Sequence, residues 1–222
     1  MIDADVVILS NTATYQIWEM TQNAINTLNN SQKDFKFNIL VVETNPDLNI
    51  SYFDAEIVRP NESFGYNRFL NIGIEHFKDS NSLYIILANN DLIFHNNWLS
   101  AIIYGDFSWD SACPHNPGWP PHSELGNKNI EGFNIGKEFT GWCQVFKRES
   151  LNKLLPLDED IKFWFSDNWL AWKMQQLEMK NVLVGRSHVT HLTSQSHHLI
   201  PDGLHQKWTH GQHEIFLKKI AQ

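Results

Sequence analysis

The stretch Leu83 to Trp98, LYIILANNDLIFHNNW, restricts the fold more than any other part of the chain. It opens as a run of β-formers from Leu83 to Leu87 and breaks at Ala88-Asn89-Asn90-Asp91. It recovers at Leu92-Ile93-Phe94 before an Asn-rich turn. A strand without apolar/polar alternation is covered on both faces, which places it at the centre of an α/β sheet. Ligands of such sheets bind outside the carboxyl ends of central strands, where this amide and carboxylate cluster falls. In extended backbone, residues i and i+2 face the same way, so Asn89 and Asp91 address one ligand while Asn90 points elsewhere. Asp91 would be the ligand for Mg²⁺ or Mn²⁺, hard ions that take one or two carboxylates with phosphate oxygens and waters. The triplet equally suits plain strand termination, because Asn and Asp side chains bond loose backbone groups.

The flanking pattern supplies the rest of a sheet. Val6 to Leu9 reads as a strand closed by Ser10-Asn11-Thr12, and Tyr15 to Leu28 carries an apolar helical stripe. Phe37 to Val42 is a second buried strand, ending at Glu43-Thr44-Asn45-Pro46. A crossover of that length joins parallel strands. Ala55 to Val58 makes a third strand, and Gly65 to Phe77 a second amphipathic helix. Between Pro114 and Gly136, four prolines and four glycines mark a long loop with functional prospects. Phe139 to Lys147 returns to strand, Arg148 to Leu155 to a short helix, and Ser166 is placed to cap another helix. Val182 to Val184 is a short strand. The tail from Ser187 holds most of the histidines, and Asp202 to Ile220 closes the chain as a helix.

Composition narrows the function classes. At 222 residues the chain suits one large domain. A formal charge of −8 argues against a broad basic surface for nucleic acid. Cys113 and Cys143 are too few for a disulfide framework and read as a reduced, intracellular pair. No apolar run approaches the roughly 20 residues of a membrane span, and the N-terminus enters a strand directly, so a cytoplasmic protein without membrane attachment is expected. Seven histidines between His188 and His213 invite a zinc reading, but neither H-E-x-x-H nor paired cysteine spacing accompanies them.

The order of these motifs resembles a nucleotide-sugar glycosyltransferase of the GT-A fold, most like family 2. The resemblance runs through Ser10-Asn11-Thr12, Glu43-Thr44-Asn45, Phe64-Gly65-Tyr66-Asn67-Arg68 and Asn89-Asn90-Asp91. It continues through Thr140 to Arg148, Phe165-Ser166-Asp167-Asn168 and Val182 to His191. It implies a Rossmann-like, mostly parallel central sheet flanked by helices, with an acceptor-side loop region. Residues 1–98 would form a nucleotide-sugar-binding half and 99–222 an acceptor-binding half with a C-terminal tail. On that resemblance Ser10, Asn11, Thr12, Glu43, Asn45, Gly65, Asn67, Asn89 and Asn90 would hold the donor. Arg59, Arg68 and Arg186 are candidate phosphate contacts, since a guanidinium fork matches diphosphate oxygens, although each equally suits a plain surface charge. Asp91 and His191 would address Mn²⁺ or Mg²⁺, and His191 alternatively the diphosphate. Asp167 would be the general base of an inverting transfer, taking the proton of an acceptor hydroxyl. Its plainer role is a carboxylate on a helix dipole. Gly141, Trp119 and Trp142, with His122 nearby, would line the acceptor side.

Two departures stand out. Asn89 occupies the place of the family's first Asp, leaving a metal one carboxylate fewer, and Ser166 leaves Asp167 as a single acid at the helix start. The acceptor implied is a glycan or, as in stand-alone phage enzymes of this type, a hydroxymethylated base in DNA, flipped out to be reached. A non-catalytic nucleotide- or sugar-binding module with a degenerate site is the rival reading.

Overall fold

The computed structural model describes residues 2–45, 49–193 and 202–221, with the side chains of residue 2 and of 202–210 excepted. The run of histidines at 197 and 198 lies outside them, as do the side chains of those at 205 and 210.

Among the described residues nine strands form one mixed sheet: β1 (Ile2–Ser10), β2 (Phe35–Glu43), β3 (Glu56–Val58), β4 (Tyr84–Asn89), β5 (Leu92–Phe94), β6 (Ser111–His115), β7 (Asn129–Glu131), β8 (Cys143–Lys147) and β9 (Asn181–His191). Their order is β3-β2-β1-β4-β8-β6-β9-β5, with β7 also on β9. The α/β expectation holds, and its parallel part is β3-β2-β1-β4 together with the β6/β9 pair. β8 is antiparallel to both β4 and β6, and β5 and β7 are antiparallel to β9. The expected central strand is β4, seated between β1 and β8.

Its unbroken apolar run has the anticipated cause. Ile86 and Ala88 face α1 (Tyr15–Asn30) and α3 (Trp98–Ile103), packing with Ile25, Leu28 and Trp98. Ile85 and Leu87 face the other way, onto α2 (Tyr66–His76), α4 (Arg148–Asn152) and α5 (Ser166–Gln176), among Phe69, Leu70, Leu151 and Leu170. Fully burying such side chains stabilises by about 1.5–3 kcal/mol each, so both faces drive this strand inward. α2 comes unusually near the sheet at Gly73, where a Cβ would lie 2.4 Å from Val7 Cγ1 and 3.1 Å from Val42 Cγ2. Only glycine permits that approach.

Three features escaped the sequence pattern. β6, SACPH, has Pro114 where strands rarely tolerate it; there the register on β9 jumps, with Val184 opposite Pro114 and His188 opposite His115. β9 extends well past the expected Val184 to His191, because β6 and β7 pair its first half and β5 its last three residues. Ser166 does not cap α5: Phe165 stands at the N-cap with φ +68°, and the Ser166 hydroxyl donates to Asn67 Oδ1. Such a left-handed Phe is strained. It is held by stacking on His213 and Phe216 of α6 (Asp202–Ile220), at ring separations of 5.0 and 5.7 Å. Among the described residues no helix is long and apolar enough to cross a membrane.

Candidate active site

Parallel pairing of β1 with β4 ends at Leu9 and Asn89, which sets the polar residues after both strands side by side. Neighbouring strands lie about 4.8 Å apart, so their side chains bond across the gap. Asn90 Nδ2 donates to Ser10 Oγ (3.2 Å) and to Thr21 Oγ1 of α1 (2.9 Å). Asn90 therefore turns toward α1, while the Asn89 amide oxygen turns the other way and accepts from Tyr66 OH at 3.3 Å.

Glu43, at the end of β2, is 1% exposed. Its Oε1 accepts from the N–H groups of Thr12 (2.9 Å) and Asn45 (2.9 Å), and its Oε2 from the hydroxyls of Thr12 (2.7 Å) and Tyr52 (3.3 Å). Both oxygens of the carboxylate are thus engaged by the protein, the Tyr52 proton being shared between Oε2 and the Thr12 hydroxyl at 2.6 Å. Asn45 Nδ2 closes the loop by donating to Thr12 O at 3.0 Å. Next to this network lies a cavity of about 440 Å³ lined by Thr12, Ala13, Thr14, Tyr15, Trp18, Ile50 and Ser51.

On the other side of Asn90, Asp91 is 6% exposed and its Oδ1 has no hydrogen-bond partner. Pairing of Leu92 with His191 across β5 and β9 brings the His191 Nε2 to 3.2 Å from that oxygen. An unpartnered buried carboxylate oxygen is costly. One carboxylate and one imidazole facing each other are a donor pair suited to Mn²⁺ and, less well, to Mg²⁺. The residues present fit a cation completed by substrate oxygens and water, though no group of three or more His, Cys, Asp or Glu gathers among the described residues. Trp142 stacks on His191 (5.4 Å, 18°) and fixes its plane.

Tyr66 and Gly141 join this pair to Asp167. Tyr66 OH donates to Gly141 O at 3.1 Å. Burial foremost, then the charges of Asp167 and Asp91, hold its hydroxyl well above the ordinary tyrosine value. A Cβ on Gly141 would sit 3.3 Å from Asp167 Cβ and 3.4 Å from its Oδ2, so the glycine leaves room for that carboxylate. Asp167 is in the first turn of α5, where burial pushes its carboxyl above the usual range and the Asn168 N–H (2.9 Å) partly opposes the shift.

The other sequence-derived candidates fall elsewhere. Asn67 is buried, donating to Asp158 O at 2.8 Å, and ties α2 to the loop before α5. Gly65 is the N-cap of α2, and Asn11 is exposed on the loop after β1. Arg59 donates to Ile50 O on the cavity rim. Arg68 pairs with Glu159 at 2.9 Å and bonds Ser63, and Arg186 is exposed on β9. Trp119 donates to Gly136 O at 2.6 Å and braces its own loop, where His122 is also held at both ring nitrogens, by Asn116 N–H and Lys137 O. Trp142, expected to face an acceptor, is buried against His191 instead. Asp158 and Asp160, acids of the loop before α5 that could compete with Asp167 as base, instead share Lys219 of α6. Sequence reading overlooked Trp18, Thr21, Tyr52 and Tyr66. Tyr66 lies inside the motif Phe64 to Arg68 and was within reach. Thr21 was a polar residue hidden in an apolar stripe, and nothing local marked Tyr52.

No family model matches the sequence, and no curated protein does. Solved structures do match its fold, which is GT-A. One is GalNAc-T7 with UDP, GalNAc and Mn²⁺, at TM-score 0.63 and 13% identity over 86% of this chain and 43% of that one. Another is the mannosyltransferase PcManGT from Pyrobaculum calidifontis with GDP-Man and Mn²⁺, at TM-score 0.61 and 13% identity over 86% and 57%. A third is a Drosophila β1,4-galactosyltransferase 7 with manganese, UDP-Gal and xylobiose, at TM-score 0.58 and 14% identity over 89% and 74%. The chain thus spans less than half the length of the first of these proteins.

Proposed function

We propose that this chain is a metal-assisted glycosyltransferase that moves a sugar from a nucleotide-sugar donor to an acceptor hydroxyl with inversion at the anomeric carbon. The observation that carries the reading is the buried Asp91 Oδ1, which accepts no hydrogen bond and faces the imidazole of His191 at 3.2 Å, at the carboxyl end of β4. Support also comes from the solved structures of like fold, which hold UDP or a nucleotide sugar together with manganese.

Asp91 and His191 would hold Mn²⁺ or Mg²⁺, whose charge offsets that of the departing nucleoside diphosphate. Asp167 accepts the proton of the attacking hydroxyl; its raised pKa makes it a stronger base than an ordinary carboxylate. Asn89 and Tyr66 stand between the two acids and orient the groups that join them. We take the acceptor to be a glycan, the class bound in the solved galactosyltransferase structure of like fold, which holds xylobiose. The net charge of −8 makes hydroxymethylated DNA the weaker acceptor class.

The test is transfer and hydrolysis of UDP- and GDP-sugars with Mn²⁺, before and after chelation, in wild type, Asp91→Ala and Asp167→Asn. Variants as active as wild type sink the assignment of the site. Asn89 favours a second reading, a domain that binds donor without turning it over. Metal-dependent donor binding with no turnover on glycan or hydroxymethylated DNA acceptors would establish that reading instead.

A further inference from the structure

Resting on that reading, the cavity beside Glu43 bears on which donor the chain accepts. A carboxylate that reads a nucleobase must offer a free oxygen to the base's N–H. Glu43 is sealed from it: the side chain is 1% exposed, Oε1 accepts from the N–H groups of Thr12 and Asn45, and Oε2 lies against the Thr12 and Tyr52 hydroxyls. The polar atoms around it are also committed. Thr12 and Tyr52 hydroxyls bond each other at 2.6 Å, and Trp18 Nε1 donates to Ser51 O at 3.0 Å.

What the cavity does offer is aromatic surface. Trp18 lines it and is near-parallel to Tyr52 (6.4 Å, 10°) and to Tyr15 (5.4 Å, 22°). Its volume of about 440 Å³ is that of a small-molecule site. The Ser10–Asn90 bond links its wall to the residue before Asp91, so a ligand seated there lies on the same strand ends as the proposed cation site. Thr14, Tyr15 and Ser51 are the hydroxyl side chains on the lining that do not bond Glu43. A hydroxyl donates or accepts as required and so suits a pyrimidine or a purine edge alike.

We infer that this chain holds its donor's base by stacking on Trp18 and by shape, with Glu43 as a strut for the loop, and therefore accepts both uridine and guanosine diphosphates. Every base has a π-face, so stacking is tolerant of base identity, whereas a site built around a base's hydrogen bonds rejects the wrong partner by about 10⁴–10⁵.

Titration calorimetry with Mn²⁺ tests this with UDP, GDP and inorganic pyrophosphate as probes. UDP and GDP are expected to bind within about tenfold of each other, and each more tightly than pyrophosphate by at least about fivefold. Trp18→Ala should weaken both nucleotides by about 5- to 150-fold and leave pyrophosphate unchanged, and Trp18→Phe should restore most of the loss. Glu43→Gln should leave the UDP:GDP ratio within threefold or so of wild type, as a strut and not a reader requires. A UDP:GDP ratio beyond tenfold, or a shift of that ratio in Glu43→Gln, overturns the inference and leaves the transferase reading intact. Nucleotides that bind no better than pyrophosphate also overturn it, on the wild-type chain alone. If none of the three probes binds with Mn²⁺, both readings fall.

Discussion

Replacing Asp91 by Asn keeps the side chain's size and removes its charge, which separates a ligand from a strand-ending residue. In wild type, Oδ1 is buried without a hydrogen bond and His191 Nε2 stands 3.2 Å away, so a cation that binds the pair stabilises the native state alone. At a metal concentration 100 times Kd, the stabilisation is about 2.7 kcal/mol. For 222 residues, with an unfolding entropy of about 2.1 cal/mol/K per residue, that is a rise in Tm of about 6 °C. If the substitution weakens binding about 100-fold, the same metal concentration equals Kd, and the gain shrinks to about 0.4 kcal/mol, or about 1 °C. Differential scanning calorimetry of both proteins, with Mn²⁺ and after chelation, reads the difference directly. The chelated Asp91→Asn protein should be about as stable as wild type, because the substitution removes a buried negative charge at the expense of its ion pair with His191. A shift above about 3 °C retained by Asp91→Asn would refute the assignment of Asp91 as ligand.

Asp167→Asn should lower transfer by about 10²–10⁴-fold, with donor binding unchanged in calorimetry. In wild type the transfer rate should climb with pH until Asp167 is ionised, later than an ordinary Asp because burial raises its pKa. Between the usual Asp range and that raised value, the unfolded chain has lost a proton that the native chain keeps, so native stability falls as pH rises. Asp167→Asn should accordingly melt higher than wild type at neutral pH, and the advantage should vanish below the usual Asp range. Gly73→Ala drives a methyl into Val7 and Val42 and should cost about 1–3 kcal/mol, seen as a lower urea midpoint. Arg148→Met strands the fully buried Asp5 with Asn38 and Ser82 as its remaining partners. It should cost about 3–5 kcal/mol by denaturant unfolding; a loss below about 1 kcal/mol would mean that water reaches Asp5.

Much of this fold was legible because its parallel half is built from local signals. The double-faced run at Leu83 to Leu87, the stripe from Tyr15 to Leu28 and the crossover lengths each follow from periodicity, and each became the expected element, with Leu83 left exposed ahead of β4. β6 and the long β9 were illegible for the opposite reason: SACPH has little apolar content, and β9 owes its length to partners far away in sequence. The alternation rule also placed Asn90 apart from Asn89, as the bonds to Ser10 and to Tyr66 show.

By itself, the sequence determined which residues could end up at the strand ends and that β4 would be buried on both faces, since backbone geometry and apolar surface are local properties. The tertiary structure decided how those residues are used. It filled Glu43 with internal bonds, turned Trp142 onto His191, spent Ser166 on Asn67, and left Asp91 Oδ1 open. Hydrogen-bond capacity is finite, and whether an oxygen is free for a ligand depends on every neighbour that folding brings to it.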